Sequence, residues 1–186
     1  MRIISGKLKG KTLNYLKNST TRPLKDIVKE NIFNILSHSN LIKIKLKNSK
    51  VLDLYSGIGS FGLECFSRGA NKVTFIEKDK SAFKILEKNL VIFSVNKNIS
   101  INNTRIESFL QKEKKLKFSI FFFDPPFSDN SFVDNLDFIK KNKMYENKHI
   151  IIIHREKKSL DKLDSYINIL ISRNYGRSKI IFGEFN

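Results

Sequence analysis

The chain has 186 residues, 40% of them hydrophobic and 28% charged, a composition that suits one folded domain with a sizeable core and excludes two ordinary domains. No apolar run approaches the roughly 20 residues of a membrane span, the opening "MRIISGKLKGKTL" lacks the apolar stretch of a secretory signal, and the single Cys65 leaves no partner for an internal disulfide, so a reduced, cytoplasmic protein is expected. The net charge of +17 is unevenly spread: residues 1–50 carry twelve Lys or Arg against Asp26 and Glu30, a net +10, while the other 136 residues supply +7.

Clustered cations gain affinity for a polyanion by releasing its counterions. That asymmetry therefore favours a basic N-terminal face, with a generally Lys-rich surface as the plainer alternative. "MRIISGKLKGKTLNYL" reads as two short β-like runs around Gly6 to Gly10, a hairpin arm whose Arg2, Lys7, Lys9 and Lys11 are candidate contacts to such a polyanion. "TTRPLKDIVKENIFNILSH" follows as an amphipathic helix: Thr21 is placed to cap it, Pro23 suits its first turn, and Ile27, Ile32, Phe33, Ile35 and Leu36 fall mostly on one face. "LIKIKLKNSK" alternates apolar and basic residues, as a strand or a solvated linker does. We divide the chain near residue 48, into a basic hairpin and helix over 1–48 packed on a main domain over 49–186.

The main domain alternates strand and helix. Strands are predicted at "KVLDLY", "KVTFIE", "NISINN", "FSIFFF" and "HIIIIH", with helices at about 60–68, 80–93, 105–112 and 129–141. Apolar runs without alternation fit strands covered on both faces, so an α/β fold with a mostly parallel sheet is expected. The tail "SYINILISRNYGRSKIIFGEF" offers two more strands joined by "RNYGR", too short for a helical crossover, which makes them antiparallel neighbours. His149 and His154 stand five apart beside an apolar strand, and no Cys/His cluster has metal-ligand spacing.

"VLDLYSGIGSFGLE" sets a strand, a glycine turn and a helix in sequence. Gly57, Gly59 and Gly62 satisfy G-x-G-x-x-G, and Glu77 closes the next strand, so a dinucleotide site is one reading. Asp53 argues against it, because a carboxylate four residues before the first glycine would crowd a pyrophosphate. S-adenosylmethionine has no phosphate, and its amino-acid portion carries an ammonium that an acid can hold. Glu77 suits the ribose hydroxyls of either cofactor.

"FFFDPPF" closes the fourth strand on Asp124, at the sheet edge that also carries Asp53 and Glu77. Pro125 and Pro126 lack amide hydrogens and fix the backbone, which frees their carbonyls from secondary-structure bonding. Phe127 follows on a loop as a platform for a nucleobase. An exocyclic base amine is a poor nucleophile, since its lone pair is delocalised into the ring. The Asp124 carboxylate and the Pro125 carbonyl could bind its two hydrogens and aim the lone pair at a methyl sulfonium, a positioning effect.

At this point the sequence resembles the RsmD family of 16S ribosomal RNA guanine-N2 methyltransferases, almost end to end. The resemblance is carried by "MRIISGKLKGKTL", "TRPLKDIVKENIFNIL", "VLDLYSGIGSFGLECFSRGA", "VTFIEKD", "FFFDPPF" and "YGRSKI". It implies a class I, Rossmann-like methyltransferase fold with a seven-stranded, mostly parallel sheet and one antiparallel strand. It also implies methyl transfer from S-adenosyl-L-methionine to N2 of one guanine in the 16S RNA of the small ribosomal subunit or its assembly intermediate, by a monomer. The family's cofactor residues carry over to Asp53, Gly57, Gly59 and Glu77, and its catalytic motif to Asp124, Pro125, Pro126 and Phe127. Arg22, in the "TRP" element, is placed to contact RNA or brace the site.

Two stretches depart from the family pattern. Arg105 stands where an Asp near the adenine amine is usual, leaving that contact to backbone groups, Asn103 or Thr104. "IIIIHREKK" puts His154 and Arg155 where the family tends to have a valine followed by Glu. A methyltransferase acting on DNA or another RNA, a nicotinamide dehydrogenase and a non-catalytic RNA-binding relative remain as rival readings. The length leaves no room for a DNA target-recognition domain, and the dehydrogenase lacks a catalytic His/Lys constellation.

Overall fold

The computed structural model describes residues 1–15, 24–92 and 98–186. In chain order the elements are α1 (Asp26–His38), β1 (Lys50–Leu54), α2 (Ser60–Ser67), β2 (Lys72–Ile76), α3 (Lys80–Ile92), β3 (Ile99–Asn102), α4 (Ile106–Lys112), β4 (Phe118–Phe123), α5 (Phe132–Lys141), β5 (Tyr145–Glu156), β6 (Ile167–Tyr175) and β7 (Ser178–Phe185). The strands form one seven-stranded sheet in the order β3-β2-β1-β4-β5-β7-β6. Neighbours from β3 through β5 are parallel, and β7 runs antiparallel to both β5 and β6. The chain leaves β1 toward β2 on one side and returns to β4 on the other. Ligands of open α/β sheets bind at such a reversal, outside the carboxyl ends of the strands.

Two apolar layers cover the sheet. On one face Val51, Phe75, Ile120 and Phe122 pack with α1 and α2; on the other Leu52, Phe121, Phe123 and Ile151 pack with α4 and α5. β4 is buried along its whole length, which is why "FSIFFF" shows no alternation. α2 closes with Gly69 at φ 100°. The Gly69 amide reaches the Phe66 carbonyl and the Ala70 amide reaches that of Cys65, the paired bonds of a Schellman cap. Cys65 is buried, and burial pushes its thiol pKa well up.

The N-terminal segment folds back on itself, with the Ile3 amide donating to the Lys11 carbonyl at 2.9 Å and the Gly10 amide to the Ile3 carbonyl at 2.9 Å. It holds one antiparallel bridge, Arg2 to Thr12, and is fastened to α2. Glu64, wholly buried, accepts the amides of Ile4 at 2.7 Å and Ser5 at 3.0 Å, while the Ser67 hydroxyl accepts the Leu8 amide at 2.9 Å. Ile3, Leu8 and Leu13 join the same apolar cluster as Phe61 and Val73. The segment is thus held by buried hydrogen bonds to a charged acceptor, each worth about 1.5–3 kcal/mol.

α1 differs in detail from the expected helix. It begins at Asp26 with Lys25 at its N-cap and no side-chain cap; Thr21 and Pro23 lie outside the described residues. Ile27 is 66% exposed, and Lys29 takes a buried place instead, at 0% exposure. Its ammonium donates to the Arg2 carbonyl at 2.8 Å and the Ser60 hydroxyl at 3.2 Å, with Glu64 at 3.9 Å. Burial pulls the Lys29 pKa down, opposed by Glu64 and Asp26. Phe33 stacks on Phe61 at 5.3 Å and Phe61 on Phe122 at 4.0 Å, a column that joins α1 to the sheet. Of the two readings of "LIKIKLKNSK", the linker holds: residues 41–49 form no strand. α5 starts at Phe132, three residues after the predicted 129, because Asp129 accepts the Ser131 amide at 2.8 Å and turns the chain first.

Candidate active site

The site starts at the end of β1. Asp53 is 1% exposed, and its Oδ2 accepts the Gly62 amide at 2.9 Å. Its Oδ1 is buried and has no hydrogen-bond partner among the described residues. Burial pushes the Asp53 pKa well above the ordinary carboxylate range; the Gly62 amide opposes this, and the charges of Asp124 and Glu77 add to it. A buried acceptor with a vacant lone pair is costly unless something donates to it.

The turn from β1 to α2 needs left-handed backbone at Tyr55, Gly57 and Gly59, with φ of 61°, 53° and 85°. The glycines serve different ends. A Cβ on Gly57 would meet open space, whereas one on Gly59 would lie 2.5 Å from a Leu86 methyl, and one on Gly62 2.3 Å from the Phe75 ring. Gly57 therefore bares the backbone to the cleft, while Gly59 and Gly62 let α2 pack against β2 and α3. The Gly57 amide donates to Glu77 Oε2 at 2.7 Å and the Asp79 amide to Oε1 at 2.7 Å. Burial raises the Glu77 pKa, and these two amides oppose it.

β4 and β5 are in register at Phe123 and Ile153, so the next residues, Asp124 and His154, stand side by side. His154 Nδ1 lies 2.8 Å from Asp124 Oδ1, and its Nε2 lies 2.8 Å from the Ser178 hydroxyl. The His154 ring meets Phe127 edge-on, with centroids 5.7 Å apart. Arg155, 1% exposed, ties the following turn from behind. It donates to the carbonyls of Pro126 at 3.1 Å and Phe127 at 3.3 Å, and to Asn130 Oδ1 at 3.1 Å. Two further bonds of 3.0 Å reach Asp161, and its guanidinium sits 4.7 Å from the Phe132 ring centre. Burial pushes the Asp161 pKa up, but bonds from Arg155 and Ser159 outweigh it and hold the carboxyl below its usual range. Arg155 leaves the Pro125 carbonyl untied. From the opposite side the Tyr55 hydroxyl donates to Asp129 Oδ2 at 3.3 Å.

Between these walls lies a cleft of about 600 Å³, large enough for a nucleoside-sized ligand. Asp53, Gly57, Glu77 and Thr104 line it together with Asp124, Pro125, Pro126 and Phe127. Gly59 and Asn103 are absent from the lining. Asn103 stands behind it, donating to the Glu77 carbonyl at 2.8 Å. Arg105, at the N-cap of α4, does line the cleft and pairs with Glu107 at 3.6 Å. Arg2, Lys7, Lys9 and Lys11 are exposed, and none lines the cleft. Lys7 lies 3.5 Å from the Phe66 ring centre and its amide reaches Ser67, at the end of α2 remote from the cleft. Arg22 lies outside the described residues. His154 and Arg155 stood out in the sequence only as departures from a pattern, and Tyr55, Asp161 and Ser178 not at all. Strand register brings His154, Arg155 and Ser178 to the site, whereas Tyr55 and Asp161 come from the chain just after β1 and after β5.

A parallel core with one antiparallel strand in this order, and a cleft across the β1/β4 reversal, define a class I methyltransferase fold. Solved structures share it. A putative methyltransferase from Escherichia coli superposes with a TM-score of 0.83 at 26% identity, over 100% of this chain and 97% of that one. A putative methylase from Haemophilus influenzae gives 0.79 at 28% identity, over 100% and 98%. The chain belongs to the family described as conserved hypothetical protein 95, whose model matches residues 1–184. Relatives named "Ribosomal RNA small subunit methyltransferase D" are 32% identical in Buchnera aphidicola subsp. Baizongia pistaciae, over 97% of this chain and 88% of that protein, and 33% identical in Haemophilus influenzae, over 84% and 79%. The family resemblance and the fold class read from the sequence both hold.

Proposed function

We propose that this chain transfers a methyl group from S-adenosyl-L-methionine to the exocyclic N2 amine of one guanine in the 16S RNA of the small ribosomal subunit or its assembly intermediate. The observation that carries the reading is a pair of acids on one cleft: Asp53, with a buried oxygen awaiting a donor, and Asp124, half-buried at the end of β4. The first suits the ammonium of the cofactor's amino-acid portion. Glu77 keeps second lone pairs on both oxygens for ribose hydroxyls, and Thr104 and Arg105 stand at the remaining end for the adenine. When bound, the cofactor supplies an electrophilic methyl on a sulfonium.

Asp124 and the Pro125 carbonyl then accept the two amine hydrogens and turn the nitrogen lone pair toward that methyl. Phe127 stacks under the base. The new N–C bond forms as the S–C bond breaks, and the amine proton passes to Asp124 or to water. The ribosomal substrate is favoured by the names of the relatives, an exocyclic amine by the D-P-P-F turn, and guanine N2 by the family resemblance alone. The basic N-terminal face supplies the polyanion affinity, and we take the protein to act as a cytoplasmic monomer. Among the described residues no helix is long and apolar enough to cross a membrane.

Replacing Asp124 with Ala tests the amine contact. Methyl transfer should be lost while calorimetric affinity for S-adenosyl-L-methionine stays within about threefold, because Asp124 acts in positioning the acceptor. Full activity in that variant would remove Asp124 from the mechanism.

A further inference from the structure

We propose that His154 is a positioning residue of the methyl-transfer site, setting both the acceptor carboxylate and the base platform; this rests on the function proposed above. The parallel register of β4 and β5 places it next to Asp124, and the antiparallel register of β5 and β7 carries the chain to Ser178 two residues further on, opposite Glu156. His154 is 8% exposed and uses both ring nitrogens, each at 2.8 Å from its partner. An ionised carboxylate only accepts hydrogen bonds, so Nδ1 carries the hydrogen that points at Asp124 Oδ1. The Ser178 hydroxyl then donates to Nε2 of the neutral ring, or accepts from it if the ring is charged. Ser178 fixes the ring in either state.

The consequence falls on Asp124. The terminal torsion of an aspartate is broad and roughly two-fold, so an untied carboxylate at the cleft rim swings between orientations. With Oδ1 committed to His154, Oδ2 is the oxygen left for the amine, and its lone pairs are aimed before the base arrives. The same imidazole stands edge-on to Phe127, at an interplanar angle of 82°. One side chain thus sets the distance between the hydrogen acceptor and the stacking surface. Misplacement of a reacting group by about 1 Å can cost on the order of 10²-fold in rate, which is the scale expected here. Arg155, the next residue, holds the Pro126 and Phe127 carbonyls, so the two neighbours clamp both ends of the turn.

The test compares His154→Leu, which keeps bulk without a donor, with His154→Asn, whose side-chain amide places an N–H near the former Nδ1. Each is made with and without Ser178→Ala in the full chain. We expect His154→Leu to lower kcat for 16S RNA in small subunits by about 100-fold, with KM and cofactor Kd within about threefold, and His154→Asn to regain about tenfold of that loss. Ser178→Ala should lower kcat in the wild type and add nothing in the His154→Asn background, where its partner is gone. Equal rates for the Asn and Leu variants, or rates within about twofold of wild type, overturn the proposal. A readout independent of RNA is the ¹⁵N resonance of His154 Nδ1 in the protein alone. It should move on Asp124→Asn, and an unmoved resonance also overturns the proposal. Failure of the wild type to label any RNA counts instead against the functional reading.

Discussion

Replacing Arg155 with Met puts the buried brace of the D-P-P-F turn to a quantitative test. The substitution removes five hydrogen bonds and leaves Asp161, whose side chain is 5% exposed, as a buried carboxylate without its cation. Breaking one side of a buried ion pair costs about 3–5 kcal/mol, a large share of the roughly 5–15 kcal/mol that holds a domain together. Asp161→Leu should cost a similar amount by stranding the guanidinium. The double replacement removes both charges together, so it should cost no more than the larger single one, giving a coupling of about 3 kcal/mol or more. Urea unfolding followed by far-ultraviolet circular dichroism, on all four corners of the cycle, reads this directly. At a temperature where the Met variant is folded, methyl transfer should still fall, because the Pro126 and Phe127 carbonyls are untied, while cofactor affinity holds. Single-variant costs under about 1 kcal/mol, or strict additivity, would refute the brace.

Further predictions come from other parts of the molecule. Asp53 and Glu77 have raised pKa values when the cleft is free, so the native state keeps protons that the unfolded chain has released. The free protein should lose stability as pH rises from the ordinary carboxylate range through these raised values. Binding of a cationic ligand at Asp53 requires the ionised acid, so calorimetry in buffers of different ionisation enthalpy should show proton release that grows toward acidic pH. No buffer dependence would contradict an Asp53–ammonium contact. Glu64→Gln replaces an acceptor of two amides and the Arg68 guanidinium. It should cost about 2–4 kcal/mol and speed amide exchange at Ile4 and Ser5; a cost under about 0.5 kcal/mol would show that Glu64 does not anchor the N-terminal segment. Changing Lys7, Lys9 and Lys11 together to Gln should lower the log–log salt slope of RNA binding by roughly 2–3. An unchanged slope would place the RNA face elsewhere. Substitution serves better than deletion, because Ile3, Leu8 and Leu13 belong to the core.

Much of the architecture was legible because strands and helices differ in period. The runs "KVLDLY" and "FSIFFF" lack alternation for a physical reason, burial on both faces, and the Asp53, Glu77 and Asp124 ends were placed on one edge by chain order alone. What escaped was set by long-range pairing. The glycines and alternating Lys of the N-terminal segment signal its turn, but nothing local signals its anchor, a buried acid 60 residues away from Ile4 that accepts its amides. Lys29 sits in the core because Arg2, Ser60 and Glu64 are there to receive its ammonium, whereas Ile27, apolar by sequence, faces out. The Thr21 cap and Arg22 lie outside the described residues. At the site, the sequence supplied the acid and the platform but not their support. His154 reaches Asp124 through β4–β5 register, and Arg155 reaches Asp161 by the return of the chain after β5, neither of which a local motif encodes.

The most direct test of the central claim is methyl transfer from radiolabelled S-adenosyl-L-methionine to small ribosomal subunits, free 16S RNA and duplex DNA in parallel, followed by nucleoside analysis. Label recovered as N2-methylguanosine from a ribosomal substrate is the result predicted. Label in DNA alone, in another nucleoside, or in no substrate despite bound cofactor would contradict it.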